Sequence, residues 1–345
     1  MIATTSYSTS AKGKPMKIND LKTRMLLGLA AAVLPASLIT TPALAAEWSP
    51  SKPVRFIVGF PPGGATDLVA RIMQPKMSAL LDKQVVVDNR PGANGTISLQ
   101  IISRAEPDGQ TIGMGHIGGL VISPVIQKVP YDPFKDFTYV GMLVTLQNIL
   151  IVHPSVPAKN MAEFLAHAKA QQGRLNYASS GIGSPGHLSG VLLEMLTKVS
   201  LNHIPYKGGG PAITDLIAGH VPSFFAVIST AVPHVQSGKV RAIAVTGNKR
   251  AEALPDTPTV AETGVKGYLS LNWYGMVAPA NTPAAIINRL NRDIVSTLKD
   301  PDVVKQLNAR GIDAAPSTAA EYRAFAESER KRWLPVIKAA NIQTN

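Results

Sequence analysis

The stretch VRFIVGFPPGGATDLVARIMQ, residues 54–74, joins an apolar run to an amphipathic run through a glycine-rich turn. The β-branched residues predict a strand at 54–60, and the apolar spacing predicts a helix at 67–81. Glycines let the backbone approach a ligand closely, and the start of a helix favours an anion. We therefore expect an anion-binding loop at residues 63–67. The alternative is that Thr66 or Asp67 only caps the helix.

The same alternation of short apolar runs and amphipathic stretches continues along the chain. Strands are predicted at 84–89, 111–116, 175–179, 201–206, 223–228 and 240–246. Helices are predicted at 95–104, 161–172, 185–198, 212–218, 283–298 and 318–339, with a helical turn near 232–236. This order is typical of parallel sheets covered by helices on both faces, and it favours an α/β fold.

Two extended apolar segments, at 142–153 and 271–278, interrupt the alternation and are expected to pair as crossing strands. They divide the chain into one domain of residues 46–145 with 275–345 and a second domain of residues 146–274. The C-terminal helices then return to the first domain, and the two crossings form a hinge. Two consecutive domains without a return crossing are the alternative.

The N-terminal segment has the pattern of a secretory signal peptide. Five Lys and Arg residues precede the apolar run at 25–33, and small residues follow at 42–46. We expect residues 1–45 to be removed near Ala45, which places the mature protein in the periplasm; Met16 is an alternative start. A membrane anchor is disfavoured, because it needs about 20 apolar residues and Pro35 and Thr40 interrupt the run.

Composition excludes several classes of protein. Hydrophobic residues make up 45% of the 345-residue chain and charged residues 16%, which indicates a globular fold. The chain has no cysteine, so disulfides, cysteine-bound zinc and a thiolate nucleophile are excluded. The net charge is +12, but the Lys and Arg residues are dispersed, so a nucleic-acid partner is not expected.

A second glycine-rich turn, at 179–186, lies between a predicted strand and a predicted helix. It contains G-x-G-x-x-G at Gly181, Gly183 and Gly186, but the acid that a dinucleotide site expects about 20 residues later is missing. We interpret it as a Ser- and Gly-lined anion cradle, and Lys207–Gly208 begins a third turn of this kind with a cation at its edge.

Motifs for catalysis and for metal binding are missing from the sequence. No G-x-S-x-G elbow occurs, and the seven histidines lack metal-ligand spacing, so neither a metal nor a cofactor is expected. His116 ends a predicted strand at the cleft, where it is either a hydrogen-bond donor to a ligand or a plain strand-end histidine.

Binding energies favour a site made by both domains. One helix start contributes about 0.3–2 kcal/mol, whereas a micromolar ligand needs about 8 kcal/mol. Several charge-assisted hydrogen bonds of about 1.5–3 kcal/mol each are therefore required. Loops from both domains closing on one carboxylate would supply them.

The chain resembles the Bug family of extracytoplasmic solute receptors, the binding components of tripartite tricarboxylate transporters. The resemblance covers essentially the whole mature chain. It is carried by short motifs in the same order: PVRFIVGFPPGG at 53–64, DNRPGA at 88–93, PDG at 107–109, PYDP at 130–133, PYKG at 205–208, LPDTPT at 254–259 and WYG at 273–275.

The resemblance implies a two-domain type II periplasmic-binding-protein fold, the Venus flytrap, with a ligand held between the domains and passed to a membrane permease. It implies a receptor, not an enzyme, and a monomer. Together with the three glycine-rich turns and His116, it gives these candidate ligand contacts: Phe60, Gly63, Gly64, Ala65, Thr66, Asp67, His116, Ser179, Ser180, Gly183, Ser184, Lys207, Gly208 and Ala226.

The sequence departs from similar receptors at Phe225-Ala226-Val227, where an Asp-Asn pair is common. Ala226 and Val227 cannot bind an ammonium group, which favours an apolar mono- or dicarboxylate over an amino acid. Two rival hypotheses remain. A secreted α/β hydrolase would use Ser179, Ser180 or Ser184 with His187, and a solute sensor would share the fold without a transport role.

Overall fold

The computed structural model describes residues 48–342 and Gly13. The predicted signal peptide, apart from Gly13, therefore lies outside the described residues. Within residues 48–342, no helix combines the length and the apolarity that a membrane crossing requires.

The first half of the described chain forms a parallel β-sheet with helices. Its elements are β1 (Val54–Val58), α1 (Ala65–Leu81), β2 (Val85–Asn89), α2 (Thr96–Ser103) and β3 (Thr111–His116). Strand β1 pairs in parallel with both β2 and β3. After β3 the chain makes a buried wide helical turn at Gly118–Ile122 that continues into the short helix α3 (Ser123–Ile126). The sequence had not predicted this turn.

The second half repeats the arrangement after the long strand β4 (Phe137–Val152). Strand β5 pairs in parallel with β6 and β7. The elements are α4 (Met161–Ala170), β5 (Asn176–Ser179), α5 (Pro185–Thr197), β6 (Asn202–Pro205), α6 (Gly209–Ile217), β7 (Ser223–Val227), α7 (Ile228–Gln236) and β8 (Arg241–Val245).

The predicted pair of crossing strands is confirmed. Strand β9 (Leu271–Pro279) runs antiparallel to residues 137–147 of β4, and it also pairs with β3. From Asn148 onward, β4 changes partners and pairs with β7 and β8. Strand β4 thus belongs to both groups of strands. The sequence predicted parallel sheets, but the crossing strands β4 and β9 make the sheet mixed. A crossing strand must run against its neighbours because it enters from the other domain.

The C-terminal elements return to the first group of strands. They are α8 (Ala284–Leu298), α9 (Pro301–Asn308), β10 (Ile312–Ala314) and α10 (Ala319–Ala339). Helix α8 packs against β4 and α1, and its Leu290 and Ile294 belong to the buried cluster that contains Phe56. Helix α10 packs against β4 and the 118–122 turn, and its Tyr322 belongs to the cluster that contains Ile57. Helix α9 and β10 were not predicted, because elements of this length leave little periodicity in a sequence.

The described chain is a two-domain type II periplasmic-binding fold. Each group of strands has its own buried clusters of apolar residues, with Phe164, Phe224 and Phe225 in the second. The predicted boundaries at 145/146 and 274/275 stay a prediction. The change of strand partners occurs between Gln147 and Asn148 on β4, and β9 begins at Leu271.

Candidate ligand-binding site

A cavity of about 300 Å³ lies where the ends of β1, β3 and β7 meet the starts of several helices. We call it the near cavity. None of the described residues that line it is an Asp or a Glu. The lining residues are Phe60, Pro61, Pro62, Gly63, Gly64, Ala65, Thr66, His116, Ser180, Pro185, Lys207, Gly208, Gly209, Gly210, Pro211, Phe224, Val227, Thr230, Asn272 and Tyr274.

Three helices start at the near cavity without a side-chain cap. Gly64 precedes α1, Gly208 precedes α6 and Val227 precedes α7, and none of them makes a side-chain cap hydrogen bond. Elsewhere, side chains such as Asn160 and Thr318 satisfy the first N–H groups of α4 and α10. The first N–H groups of a helix have no intrahelical partner, so uncapped starts favour an anion in the space in front of them.

The first loop, residues 60–67, is held from beneath by Asp67. Its carboxylate accepts hydrogen bonds from the Gly63 N–H at 2.9 Å, from Asn89 Nδ2 at 3.0 Å and from Arg71 Nε at 3.0 Å. Burial acts to raise the pKa of Asp67, but these hydrogen bonds outweigh it and hold the pKa below its usual value. Asp67 therefore stays ionised and shapes the loop, and the Gly63 N–H is already used.

Two buried polar atoms beside the near cavity have no hydrogen-bond partner in the described chain: Thr66 Oγ1 and His116 Nε2. Burial lowers the pKa of His116 to about 4, so its ring is neutral at pH 7. Because Nδ1 accepts from the Gly119 N–H at 3.2 Å, the ring proton belongs on Nε2. Both atoms therefore carry a proton for which the described chain offers no acceptor.

In the second loop, residues 179–184, Ser179, Gly183 and Ser184 use their polar groups in hydrogen bonds within the protein. Ser184 Oγ caps α5 by accepting from the His187 N–H, and the Gly183 N–H donates to His187 Nδ1 at 3.1 Å. Ser179 Oγ lies 3.1 Å from the Gly181 nitrogen and 2.6 Å from His203 Nε2. Burial lowers the pKa of His187 to about 4 and that of His203 to about 3. Both imidazoles are therefore neutral supports beneath the loop.

The near cavity brings together most of the candidate contacts from the sequence. The nine that line it are Phe60, Gly63, Gly64, Ala65, Thr66, His116, Ser180, Lys207 and Gly208. The five that do not line it are Asp67, Ser179, Gly183, Ser184 and Ala226. Asp67, Ser179 and Ser184 lie behind their loops as structural hydrogen-bond partners. Ala226 sits in the core of the second domain, because alternate residues of a strand face opposite sides.

Sequence reasoning missed the floor of the cavity. Asn272 and Tyr274 on β9 and Phe224 on β7 line it, and all three are buried. The Trp273-Tyr274-Gly275 motif was a signal, since it belongs to the crossing strand. It could not be assigned to the site without knowing that β9 lies between β3 and β4.

A larger cavity of about 660 Å³ continues from the near one, and we call it the far cavity. The two share Phe60, Pro61, Ser180, Lys207 and Gly208, so they form one continuous cleft. Phe60 stands against His116, with ring centroids 5.1 Å apart in an edge-on arrangement. Phe60 therefore forms a wall of the cleft.

The sequence pattern of the "Tripartite tricarboxylate transporter family receptor" matches residues 69–342. The chain belongs to this family of receptors. The resemblance to the Bug receptors is confirmed as well, since the receptor is 32% identical to "Protein BugT" of Bordetella pertussis over 300 residues, 86% of this chain and 91% of that protein.

Solved structures of similar proteins share the receptor's fold. A protein of Rhodopseudomonas palustris, Rpa4515 "with adipate", is 32% identical with a TM-score of 0.82, covering 85% of this chain and 99% of that one. MatC of the same organism, "with bound malate", is 32% identical with a TM-score of 0.78, covering 84% of this chain and 99% of that one.

The family assignment makes the protein a solute-binding receptor and not an enzyme. The geometry agrees with this conclusion at Ser179, whose hydroxyl lies 2.6 Å from His203 Nε2, as in a serine–histidine catalytic pair. Ser179 is fully buried and lines neither cavity of the cleft. Its hydroxyl is engaged with both His203 and the Gly181 backbone. A substrate in the cleft would not reach it.

Proposed function

We propose that the protein is a periplasmic receptor that captures a small carboxylate between its two domains and delivers it to a tripartite tricarboxylate-type permease. The observation that carries the proposal is the near cavity, where three uncapped helix starts converge on a space without an acidic side chain. An anion is the ligand that such a space binds best.

The donors around the near cavity can supply the binding energy. Thr66 Oγ1 and His116 Nε2 are buried donors without partners, and Lys207 adds a positive charge. Hydrogen bonds to a charged ligand contribute about 1.5–3 kcal/mol each. Three such bonds, together with the helix starts, reach the roughly 8 kcal/mol of a micromolar complex.

The relatives support a carboxylate over other anions. Structures of two receptors with about a third of their residues identical to this chain contain adipate and malate. Both ligands are small carboxylates with an aliphatic body. Their presence in the shared fold favours the same ligand class here, and the family favours a permease as the partner.

Calorimetry with purified mature protein tests the ligand class. The panel consists of malate, adipate, hexanoate and benzoate, each paired with its uncharged amide. We expect at least one acid to bind with micromolar affinity and its amide to bind at least 100-fold more weakly, since the amide lacks the charge that the helix starts favour. Equal binding of acid and amide would refute the anion site.

The proposed location is tested by the N-terminus of the exported protein. Sequencing of the protein from a periplasmic extract should give Ala46 as the first residue, because cleavage is expected near Ala45. Recovery from the extract with Met1 or Met16 intact would contradict processing of this signal peptide. A permease gene beside this one would favour transport over a sensor role.

Ligand capture should close the two domains, residues 46–145 with 275–345 and residues 146–274, about the crossing strands. Because both domains line the cleft, a bound ligand stabilises the arrangement in which their loops meet. Small-angle scattering should show a smaller radius of gyration and a monomer at saturating ligand. An unchanged radius would contradict hinge closure.

A further inference from the structure

The far cavity differs from the near cavity in its chemistry. Its walls are largely apolar, from Pro91, Ala93, Ile126, Ile182 and Pro205. As in the near cavity, none of the described residues that line it is acidic, and its one lysine or arginine is Lys207, which both cavities share. Two helix starts reach it: the eight-residue α2 begins at its edge, behind Gly95, and α6 begins behind Gly208, which both cavities share. The positive potential of the cleft is therefore concentrated in the near cavity.

Three polar side-chain atoms of the far cavity are buried without hydrogen-bond partners in the described chain. Both amide atoms of Asn94 lack a hydrogen bond in the described chain, and so does Ser123 Oγ on a fully buried residue. A buried polar group without a partner costs about 1–3 kcal/mol, so such groups in a binding cleft mark places that a ligand satisfies.

The backbone conformation at residue 94 accounts for the presence of an asparagine there. It does not account for the burial of the asparagine amide without a hydrogen-bond partner. Asn94 has φ of 52° and ψ of 38°, a left-handed conformation that asparagine tolerates better than most residues. Glycine would serve such a turn equally well. Gly118 leaves room for the amide, since a Cβ there would lie 3.0 Å from Asn94 Nδ2. The amide is thus accommodated beside the cleft with both its polar atoms unused.

The Asn94 amide and the Ser123 hydroxyl together favour an uncharged group of the ligand over a charged one. Asn94 offers a donor and an acceptor, and Ser123 can act as either. A ligand hydroxyl or carboxamide can pair with all of these atoms, whereas a carboxylate accepts only and would face the Asn94 oxygen. A second carboxylate would also be desolvated, and it would share Lys207 and the start of α6 with the first carboxylate. The start of α2, which contributes about 0.3–1 kcal/mol, does not offset that cost.

We propose that the far cavity binds the uncharged, hydrogen-bonding end of the ligand. The ligand class is a monocarboxylate with an apolar body and a distal hydroxyl or carboxamide. Its carboxylate lies at the helix starts of the near cavity, and its neutral end lies at Asn94 and Ser123. This assignment rests on the proposed function and adds the specificity-determining residues to it.

Calorimetry on two matched sets of acids tests the assignment. The aliphatic set is hexanoate, 6-hydroxyhexanoate and adipate, and the aromatic set is benzoate, 4-hydroxybenzoate and terephthalate. Whichever set contains acids that bind is the one that fits the cleft. In that set, we expect the hydroxy acid to bind about tenfold more tightly than the unsubstituted acid. We also expect it to bind more tightly than the diacid.

Variants locate the preference in the far cavity. Ser123→Ala and Asn94→Gly, which keeps the left-handed turn, should each reduce the advantage of the hydroxy acid over the unsubstituted acid at least threefold, because the hydroxy acid loses a hydrogen-bond partner. Thr66→Val in the near cavity is the matched control, and it should weaken all three acids of a set by the same factor. Circular dichroism and melting temperature verify folding.

The outcomes separate this assignment from the proposed function. Equal affinity for the hydroxy and unsubstituted acids, or tightest binding of the diacid, would overturn the far-cavity assignment and leave carboxylate binding in place. So would binding of malate with none of the six acids bound. If no carboxylate bound at all, the proposed function itself would fail. A preference for the hydroxy acid that survives both far-cavity variants would also overturn the assignment.

Discussion

The two glycine-rich loops of the cleft look alike in the sequence and differ in what they offer a ligand. Each follows a parallel strand and opens a helix. The first leaves α1 uncapped and Thr66 Oγ1 unpaired, whereas the second caps α5 with Ser184 and ties Ser179 to the backbone of Gly181. The first loop therefore presents an uncapped helix start and an unpaired hydroxyl, whereas Ser180 is the one serine of the second loop that lines the cleft. Whether a polar residue in such a loop binds a ligand depends on what else it contacts.

The largest expected effect comes from the support of the first loop. Asp67→Ala leaves the Gly63 N–H and Asn89 Nδ2 without their acceptor. We expect a loss of about 3 kcal/mol in the free energy of unfolding and loss of ligand binding, because a buried charge network is broken. Urea denaturation and calorimetry measure the two effects.

Asp88→Ala is the matched control for Asp67. Asp88 pairs with Arg55 and Arg90, whose side chains are about half exposed, so the loss should stay below about 1 kcal/mol. Equal losses in the two variants would show that Asp67 does not have the special supporting role inferred from its buried hydrogen bonds.

Acid should open the second loop before the first. The pKa values of His187 and His203 are lowered by burial to about 4 and about 3, while an exposed histidine has a pKa near 6.5. Between pH 6.5 and 4 the opened loop binds protons that the closed loop does not, so closure weakens as the pH falls. The expected loss at pH 5 is about 1–2 kcal/mol for each imidazole. Asp67, whose pKa is lowered, stays ionised across this range.

Hydrogen exchange measured by mass spectrometry checks this order. Corrected for intrinsic rates, protection from pH 7 to pH 5 should fall more for residues 180–187 than for residues 60–67. Two buried imidazoles support the second loop, whereas one, His116, stands against the first. His187→Asn, which keeps an acceptor near the Gly183 N–H but does not titrate, should reduce the pH dependence. An equal loss of protection in residues 180–187 and residues 60–67 would contradict the predicted order of opening.

Thr66→Val separates binding from stability in the first loop. Valine has the shape of threonine without its hydroxyl, and Thr66 Oγ1 has no partner in the described chain. Ligand affinity should fall about tenfold, while the free energy of unfolding should rise by up to about 1 kcal/mol. If affinity is unchanged, Thr66 does not donate to the ligand.

Ser184→Ala should show the reverse pattern with the smallest effect. Ser184 Oγ caps α5 and lines neither cavity. Loss of the cap should lower the free energy of unfolding by about 1 kcal/mol, with affinity changed less than twofold. Thermal melts measure the change in stability, and calorimetry with the same ligand measures the change in affinity. A tenfold loss of affinity would show that the second loop binds the ligand through this hydroxyl.

The sequence by itself determined the fold class and the place of the cleft. The alternation of strands and helices, the crossing segments and the glycine-rich turns are local patterns, and local patterns are fixed by periodicity and by backbone preference. Nine of the fourteen candidate residues line the near cavity because they sit on turns that follow parallel strands, and such turns gather at one edge of a sheet.

Only the tertiary structure decided which polar atoms remain available to a ligand. Asp67, Ser179 and Ser184 have the residue types of a binding site, yet their hydrogen bonds are used within the protein. Ser123 carried no local signal, and the motif that contains Tyr274 could not be assigned to the site. The two residues reach the cleft through a buried turn and through strand order. The physical reason is that hydrogen-bond satisfaction is a property of three-dimensional neighbours, which the order of residues along the chain does not specify.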